Sequence, residues 1–215
     1  MPVKNRNTFA ALSLAAVAMF GLAACAPMTE TAEPAPTMEE EMEPMEDFTA
    51  NLVGPGCAAY ADANPDGGGS IVGMAQDPVA VAASNNPLLT TLVAAVSGQL
   101  NPDVNLVDVL NGSEFTVFAP VDDAFAKLPA ETVEALMLPE NAELLSSILT
   151  YHVVPGQILP ADIAGELTTV NGATVTVTGS GDNLMVGDSA VICGGVRTAN
   201  ATVYLIDTVL SPPAA

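Results

Sequence analysis

His152 is the only histidine among the 215 residues, and it bounds the chemistry the chain can attempt. One imidazole excludes any metal site that needs two within a chain. A hydrolytic triad would also need a serine and an aspartate that no spacing places beside His152, and no Gly-x-Ser-x-Gly elbow is present. The chain holds 25 acids, but nothing marks two of them as a catalytic pair, and the absence of tryptophan removes the usual sugar platform. Asp62-x-Asn64-x-Asp66-Gly67 begins like a calcium loop. Its twelfth position, where a bidentate Glu belongs, is Gly73, and Asn64-Pro65-Asp66-Gly67 is a sound turn in its own right. The glycines at 67 to 69 lead to Ser70 without the lysine of a phosphate loop. Met38, Met42 and Met45 have helical spacing and soft thioethers that suit Cu(I), yet Pro44 interrupts the helix and no Cys or His assists. These residues point to a protein without catalytic groups, metal or cofactor.

Three cysteines carry the remaining chemistry. Cys25 ends the run Leu22-Ala23-Ala24-Cys25, which resembles the bacterial lipobox and implies a diacylglycerol on the Cys25 thiol, cleavage before it and acylation of the new amine. Upstream, Lys4 and Arg6 precede an apolar stretch from Phe9 to Phe20, too short for a membrane span of about 20 residues and typical of an export signal. Plain secretion after cleavage at an Ala-x-Ala-like site is the alternative. With Cys25 lipidated, Cys57 and Cys193 remain, and outside the reducing cytoplasm two such thiols are expected to pair. Two buried free thiols are the other possibility.

The formal charge of -21 divides unevenly along the chain. Lys4 and Arg6 are the only charges in residues 1–24, eight acids and no base fill 25–47, and 17 acids face Lys127 and Arg197 in the rest. Loss of the signal takes the mature chain to -23, which excludes nucleic acid as a partner. Prolines and one-sign charge oppose a packed core over 25–53, so this segment reads as a solvated, self-repelling tether. Thr29, Thr31 and Thr37 among its prolines are possible sites of O-linked sugar. The organisation expected is a signal over 1–24, a tether over 25–53 and one domain over 54–215.

The elements of that domain separate along the chain. Helical signals dominate first: Pro78 after Asp77, Pro87 after Asn86 with Leu88, Leu89, Leu92, Val93 and Val96 on one face, Asn105 before Leu106 to Leu110, and Asn141 before Leu144, Leu145, Ile148 and Leu149. Strand signals follow: Val175 and Val177 alternate with Thr174, Thr176 and Thr178, and Leu184 to Val186, Val191 to Val196 and Val203 to Ile206 are short apolar runs. Helices segregated from mostly antiparallel strands give an α+β class.

Three segments carry a family resemblance. Thr116-Val117-Phe118-Ala119-Pro120-Val121-Asp122-Asp123-Ala124-Phe125, Tyr151-His152-Val153-Val154-Pro155-Gly156, and Val203-Tyr204-Leu205-Ile206-Asp207-Thr208-Val209-Leu210-Ser211-Pro212 resemble the opening, central and closing signatures of the fasciclin (FAS1) domain family. The matched core runs over 73–212. Gly54 to Tyr60 and Asp77 to Asn86 are similar to the mycobacterial group of secreted immunogenic proteins and cell-surface lipoproteins within that family. The resemblance implies an antiparallel β-wedge or sandwich flanked by short helices. It makes Thr116, Phe118, Pro120, Asp122, Phe125 and Asp207 fold-forming residues, with Asp122 expected to accept hydrogen bonds from free N–H groups of the helix that follows it. It assigns a partner-contact role to Tyr151 and His152, whereas the residues alone make His152 a hydrogen-bonded core histidine.

The expected protein is a monomeric, non-catalytic, lipid-anchored surface protein, exported to the cell membrane or surface, with shedding as an open alternative. It would mediate adhesion or recognition of a surface protein, matrix component, or envelope glycan or lipid. Two rivals remain: a carrier of a small apolar ligand or lipid, and a hydrolase using His152. Asn111-Gly112-Ser113 and Asn200-Ala201-Thr202 are sequons, but a lipobox implies a bacterium, where that modification is uncommon.

Overall fold

Two strands, β1 (Phe115–Pro120) and β7 (Ala201–Ile206), are buried along their whole length. They pair in parallel, Phe115 beside Ala201 through Pro120 beside Ile206. Strands covered on both faces read as continuous apolar runs, so alternation is hidden in their sequences. The pleat still sorts them: Val117, Ala119, Val203 and Leu205 join one apolar core, while Phe118, Tyr204 and Ile206 join another. The computed structural model describes residues 47–213. The signal, Cys25 and the Met38, Met42 and Met45 set lie outside them.

Seven strands form the sheet in the order β2 (Val153–Pro155), β1, β7, β6 (Ser189–Arg197), β5 (Met185–Val186), β4 (Thr174–Thr178) and β3 (Gly165–Thr168). The first residues of β6 pair with β5 and the rest with β7, with register shifts on either side of Cys193. Such irregularities bend a strand, and here they divide the sheet into two leaves that share β6. In β4, Val175 and Val177 are buried and the threonines exposed, the pattern of a strand with one wet face. The core between the leaves holds Phe118 and Tyr204 with ring centroids 5.8 Å apart. The expected, mostly antiparallel wedge is thus present; its parallel pair, β1 and β7, is separated along the chain by three of the helices, β2 and the whole second leaf.

Short helices cover the outer face of the first leaf: α1 (Cys57–Ala63), α2 (Ile71–Met74), α3 (Val79–Asn85), α4 (Thr90–Val96) and α5 (Val107–Asn111) precede β1, and α6 (Asp122–Ala126), α7 (Ala130–Met137) and α8 (Ala142–Tyr151) follow it. None is long enough to be stable alone, so packing of an apolar face holds each in place. No helix among the described residues is long and apolar enough to cross a membrane.

Helix starts depart from the capping expectations. α4 begins at Thr90 rather than after Pro87, because the Asn86 side-chain oxygen accepts the Leu88 N–H in a local turn and leaves Leu88 exposed. Asn141 precedes α8 but makes no side-chain cap; its Nδ2 donates to the Ala135 carbonyl and ties α7 to α8. α8 buries Leu145, Leu149 and Tyr151, while Leu144 points outward. Asn105 accepts the Val107 N–H, but α5 begins at Val107 with Leu106 as its N-cap, one residue later than expected.

Among the described residues, packing starts at Phe48, upstream of Gly54. Phe48 and Leu52 lie against the helical core, and Val53 exchanges two backbone hydrogen bonds with Gly194 of β6, at 3.0 and 2.7 Å. Gly195 has φ +76°, and a Cβ there would meet the Asn51 carbonyl oxygen at 2.1 Å, so only glycine lets this entry segment lie on the strand.

Candidate functional site

The residues singled out by the sequence meet where α8 runs into β2. Tyr151 ends α8, and His152 follows as its C-cap. The Tyr151 hydroxyl donates to the Thr174 carbonyl at 3.0 Å, joining the helix to the second leaf. His152 makes three bonds, one back to its own helix and two to further parts: Nδ1 bonds the Ile148 carbonyl at 2.8 Å, Nε2 accepts the Leu210 N–H at 2.9 Å, and its carbonyl accepts the Phe118 N–H at 2.8 Å. An accepting Nε2 and a carbonyl facing Nδ1 together fix the neutral tautomer with its proton on Nδ1. Burial holds this imidazole down at about pKa 4, against the smaller opposing effect of the Ile148 bond. Burial also raises the Tyr151 phenol.

This geometry bears on the partner-contact expectation for Tyr151 and His152. Tyr151 is 6% exposed and His152 3%, and their polar atoms are bonded within the chain, so neither presents a group to an approaching surface. With both nitrogens engaged, the imidazole faces no nucleophile. Among the described residues no group of three His, Cys, Asp or Glu side chains is placed to hold a metal. Asn64, of the calcium-like run, donates instead to the Tyr60 carbonyl.

The signature residues build corners around this junction. The Thr116 hydroxyl donates to the Gly156 carbonyl and accepts the Ile158 N–H, at 2.7 and 2.9 Å. Pro120 closes β1, and Phe125 is half-buried against the helical core. Asp122 differs from expectation: it lies inside α6, whose N-cap is Val121, and its carboxylate accepts from the Thr91 N–H at 2.8 Å and the Thr90 hydroxyl at 2.6 Å, capping α4. Partial burial pushes the Asp122 carboxyl up, but the Thr90 and Thr91 bonds outweigh it and hold the group below the usual carboxylate range. Asp207 follows the same balance: partial burial pushes it up, and bonds from Lys127, Ala190 and Thr208 bring it down. Its ion pair with Lys127 spans 2.9 Å, and its other oxygen accepts the Ala190 N–H at 2.9 Å.

Cys57 and Cys193 are joined as a disulfide, with their Cα atoms 4.7 Å apart. It fastens the first turn of α1 to β6 just beyond the entry segment.

Sequence reasoning passed over Asn200, which it met only as a sequon. Its side-chain oxygen accepts the Val79 N–H at the start of α3, and its Nδ2 donates to the Leu110 and Ser113 carbonyls. Asn111, of the other sequon, accepts the Ala80 N–H. Both amides are therefore engaged in holding α3. The apolar cavity between the helices and the first leaf also left no sequence signal, since the residues that line it are those any core contains.

A seven-stranded wedge of two leaves, helices on one face, and a buried Tyr-His junction define the architecture of a FAS1 domain. The comparisons agree. The sequence model of the Fasciclin domain matches residues 87–212, and the chain belongs to that family. The immunogenic protein MPB70 of Mycobacterium bovis is 58% identical over 212 residues, 99% of this chain and 100% of that one. The cell surface glycolipoprotein MPB83 of the same species is 56% identical over 95% of this chain and 96% of its own length. Among solved structures, a FAS1 domain pair from the insect cell adhesion molecule Fasciclin I matches with a TM-score of 0.55 at 17% identity, covering 68% of this chain. The chain spans about half of that structure, and the likeness shows the fold. The relatives' names support an exported, surface-associated protein.

Proposed function

We propose that this chain is a lipid-anchored protein of the bacterial cell surface whose FAS1 domain mediates adhesion or recognition without catalysis. The partner class is a surface or matrix protein, or an envelope glycan or lipid. The observation that carries this reading is the near full-length likeness to a protein named a cell surface glycolipoprotein, which spans the segment holding Cys25 as well as the domain. The fold adds support, because the Tyr151 and His152 side chains are internal and leave recognition to the outer surface of the wedge and helices.

In this reading Cys25 carries the acyl groups, the segment from Cys25 toward residue 53 is the spacer, and the domain is held with its entry segment on β6. One acyl chain binds a membrane reversibly, and two or three hold stably. Cys25→Ala tests the anchor: the variant is expected in the medium and the parent in the membrane fraction. Saturable retention of the immobilised chain on matrix protein or envelope extract tests recognition. An equal distribution of parent and variant would remove the anchor, and no retention on any surface would remove the recognition role.

A further inference from the structure

Two apolar cavities lie side by side against the first leaf and share Leu106, Leu110 and Val153. The inner one, about 50 Å³, runs between α3, α4 and the β1 and β7 strands; the outer one, about 20 Å³, lies beside α5 and β2. A water needs roughly 10–15 Å³ of such volume, so the inner space alone takes several groups of that size, where close-packed interiors hold few voids larger than one water.

The lining is aliphatic apart from Asn86, His152, Thr198 and Phe118 inside and Thr150 and Phe115 outside. Hydrogen bonds within the chain engage the nitrogens of His152 and the hydroxyls of Thr198 and Thr150. A water would lack the two to four partners that hold one in place, so the space is dry. Asn86 differs from these polar groups: its oxygen accepts the Leu88 N–H, but its Nδ2 reaches only the Met74 sulfur, at 3.8 Å. At the other end the track meets the surface, where Val109 is 53% and Val170 41% exposed.

We propose that this track is a binding site for one linear acyl chain. The chain enters tail first between Val109 and Val170, displaces the Leu106, Leu110 and Val153 side chains, and ends near Met74 and Asn86, leaving its head group outside. The head group is uncharged. Lys127 and Arg197 are the only cations among the described residues; Lys127 is paired with Asp207, and Arg197 also has a partner. Exposed Asp108 sits next to Val109 in α5 and repels a carboxylate. The ligand class is therefore an esterified acyl chain, as in a monoacylglycerol, and not a fatty-acid anion.

The test uses the secreted full chain with Cys25→Ser, so that no attached lipid competes. Monoacylglycerols of increasing length, with octanoate beside them, are titrated by native mass spectrometry and methyl NMR. Affinity is expected to rise about fourfold per added methylene and to level off at about five to seven carbons, where the track is full. Leu106 and Val153 methyl signals should shift, and octanoate should bind at least about tenfold more weakly than its glycerol ester. Val109→Asp and Val170→Asp, both at exposed positions, should each weaken binding about tenfold or more without changing the melting temperature. Leu106→Trp, at a half-buried position, is an independent block. Absence of saturable binding, binding without chain-length dependence, equal binding of octanoate, or binding unaffected by these three substitutions overturns the proposal.

Discussion

His152 holds Leu210: its Nε2 accepts the Leu210 backbone N–H at 2.9 Å, so the end of α8 secures the C-terminal segment after β7. This bond exists only while the imidazole is neutral. Because Nδ1 also faces a carbonyl, protonation would leave a buried cation with a donor pointed at a donor.

A pH dependence follows from that bond. The folded-state pKa is lowered from 6.5 to about 4, so the unfolded chain takes up the proton first. Stability is complete above about pH 6.5 and falls as pH drops toward 4, by up to about 3 kcal/mol. As the chain has one histidine, His152→Gln should be less stable at pH 7 but should lose most of this slope between pH 6.5 and 4. Urea unfolding of both chains across that range is the measurement, and parallel slopes would contradict it.

Asp122→Ala should cost about 1–2 kcal/mol, because it removes the cap on α4. Asp122→Asn keeps an acceptor and should cost less. Amide hydrogen exchange should locate the loss in Thr90 and Thr91, 31 or more residues away in sequence, rather than in α6. Increased exchange confined to α6 would return the residue to the local role expected from sequence.

That contrast shows what was legible in the chain. Val175 and Val177 announced β4 by alternation, and the apolar runs of β1 and β7 were visible as strands. Their parallel pairing was not, since it depends on how far apart the intervening chain lets them meet. Cys57 and Cys193 could be matched because only two thiols remained. Asp122 could be seen as a cap, but not which helix it served; the nearer helix is the natural reading, and tertiary packing chose the other. Tyr151 and His152 stood out as a motif, and burial decided that they fasten the fold. Asn200 resembled a surface sequon until Val79, Leu110 and Ser113 were found around it.

Removing the disulfide by Cys57→Ala with Cys193→Ala should cost on the order of 4–5 kcal/mol, for a bond that spans 136 residues. Denaturant titration of oxidised, reduced and doubly substituted chains should place the last two together and well below the first. Equal midpoints for all three would contradict a bond between these residues.

Gly195→Ala should detach the entry segment, because the new Cβ needs the space of the Asn51 carbonyl at a backbone conformation that alanine resists. The expected result is a loss of about 1–3 kcal/mol, together with faster proteolysis upstream of Cys57. Unchanged cleavage there would mean that the segment is not held on β6.

The most direct test of the surface-recognition reading is attachment itself. Cells displaying the chain, cells expressing Cys25→Ala, and cells lacking the chain are compared on surfaces coated with matrix protein and with envelope glycan and lipid extracts. The account predicts saturable attachment to at least one surface by the displaying cells alone, competed by soluble domain. Equal attachment of the three on every surface would contradict it.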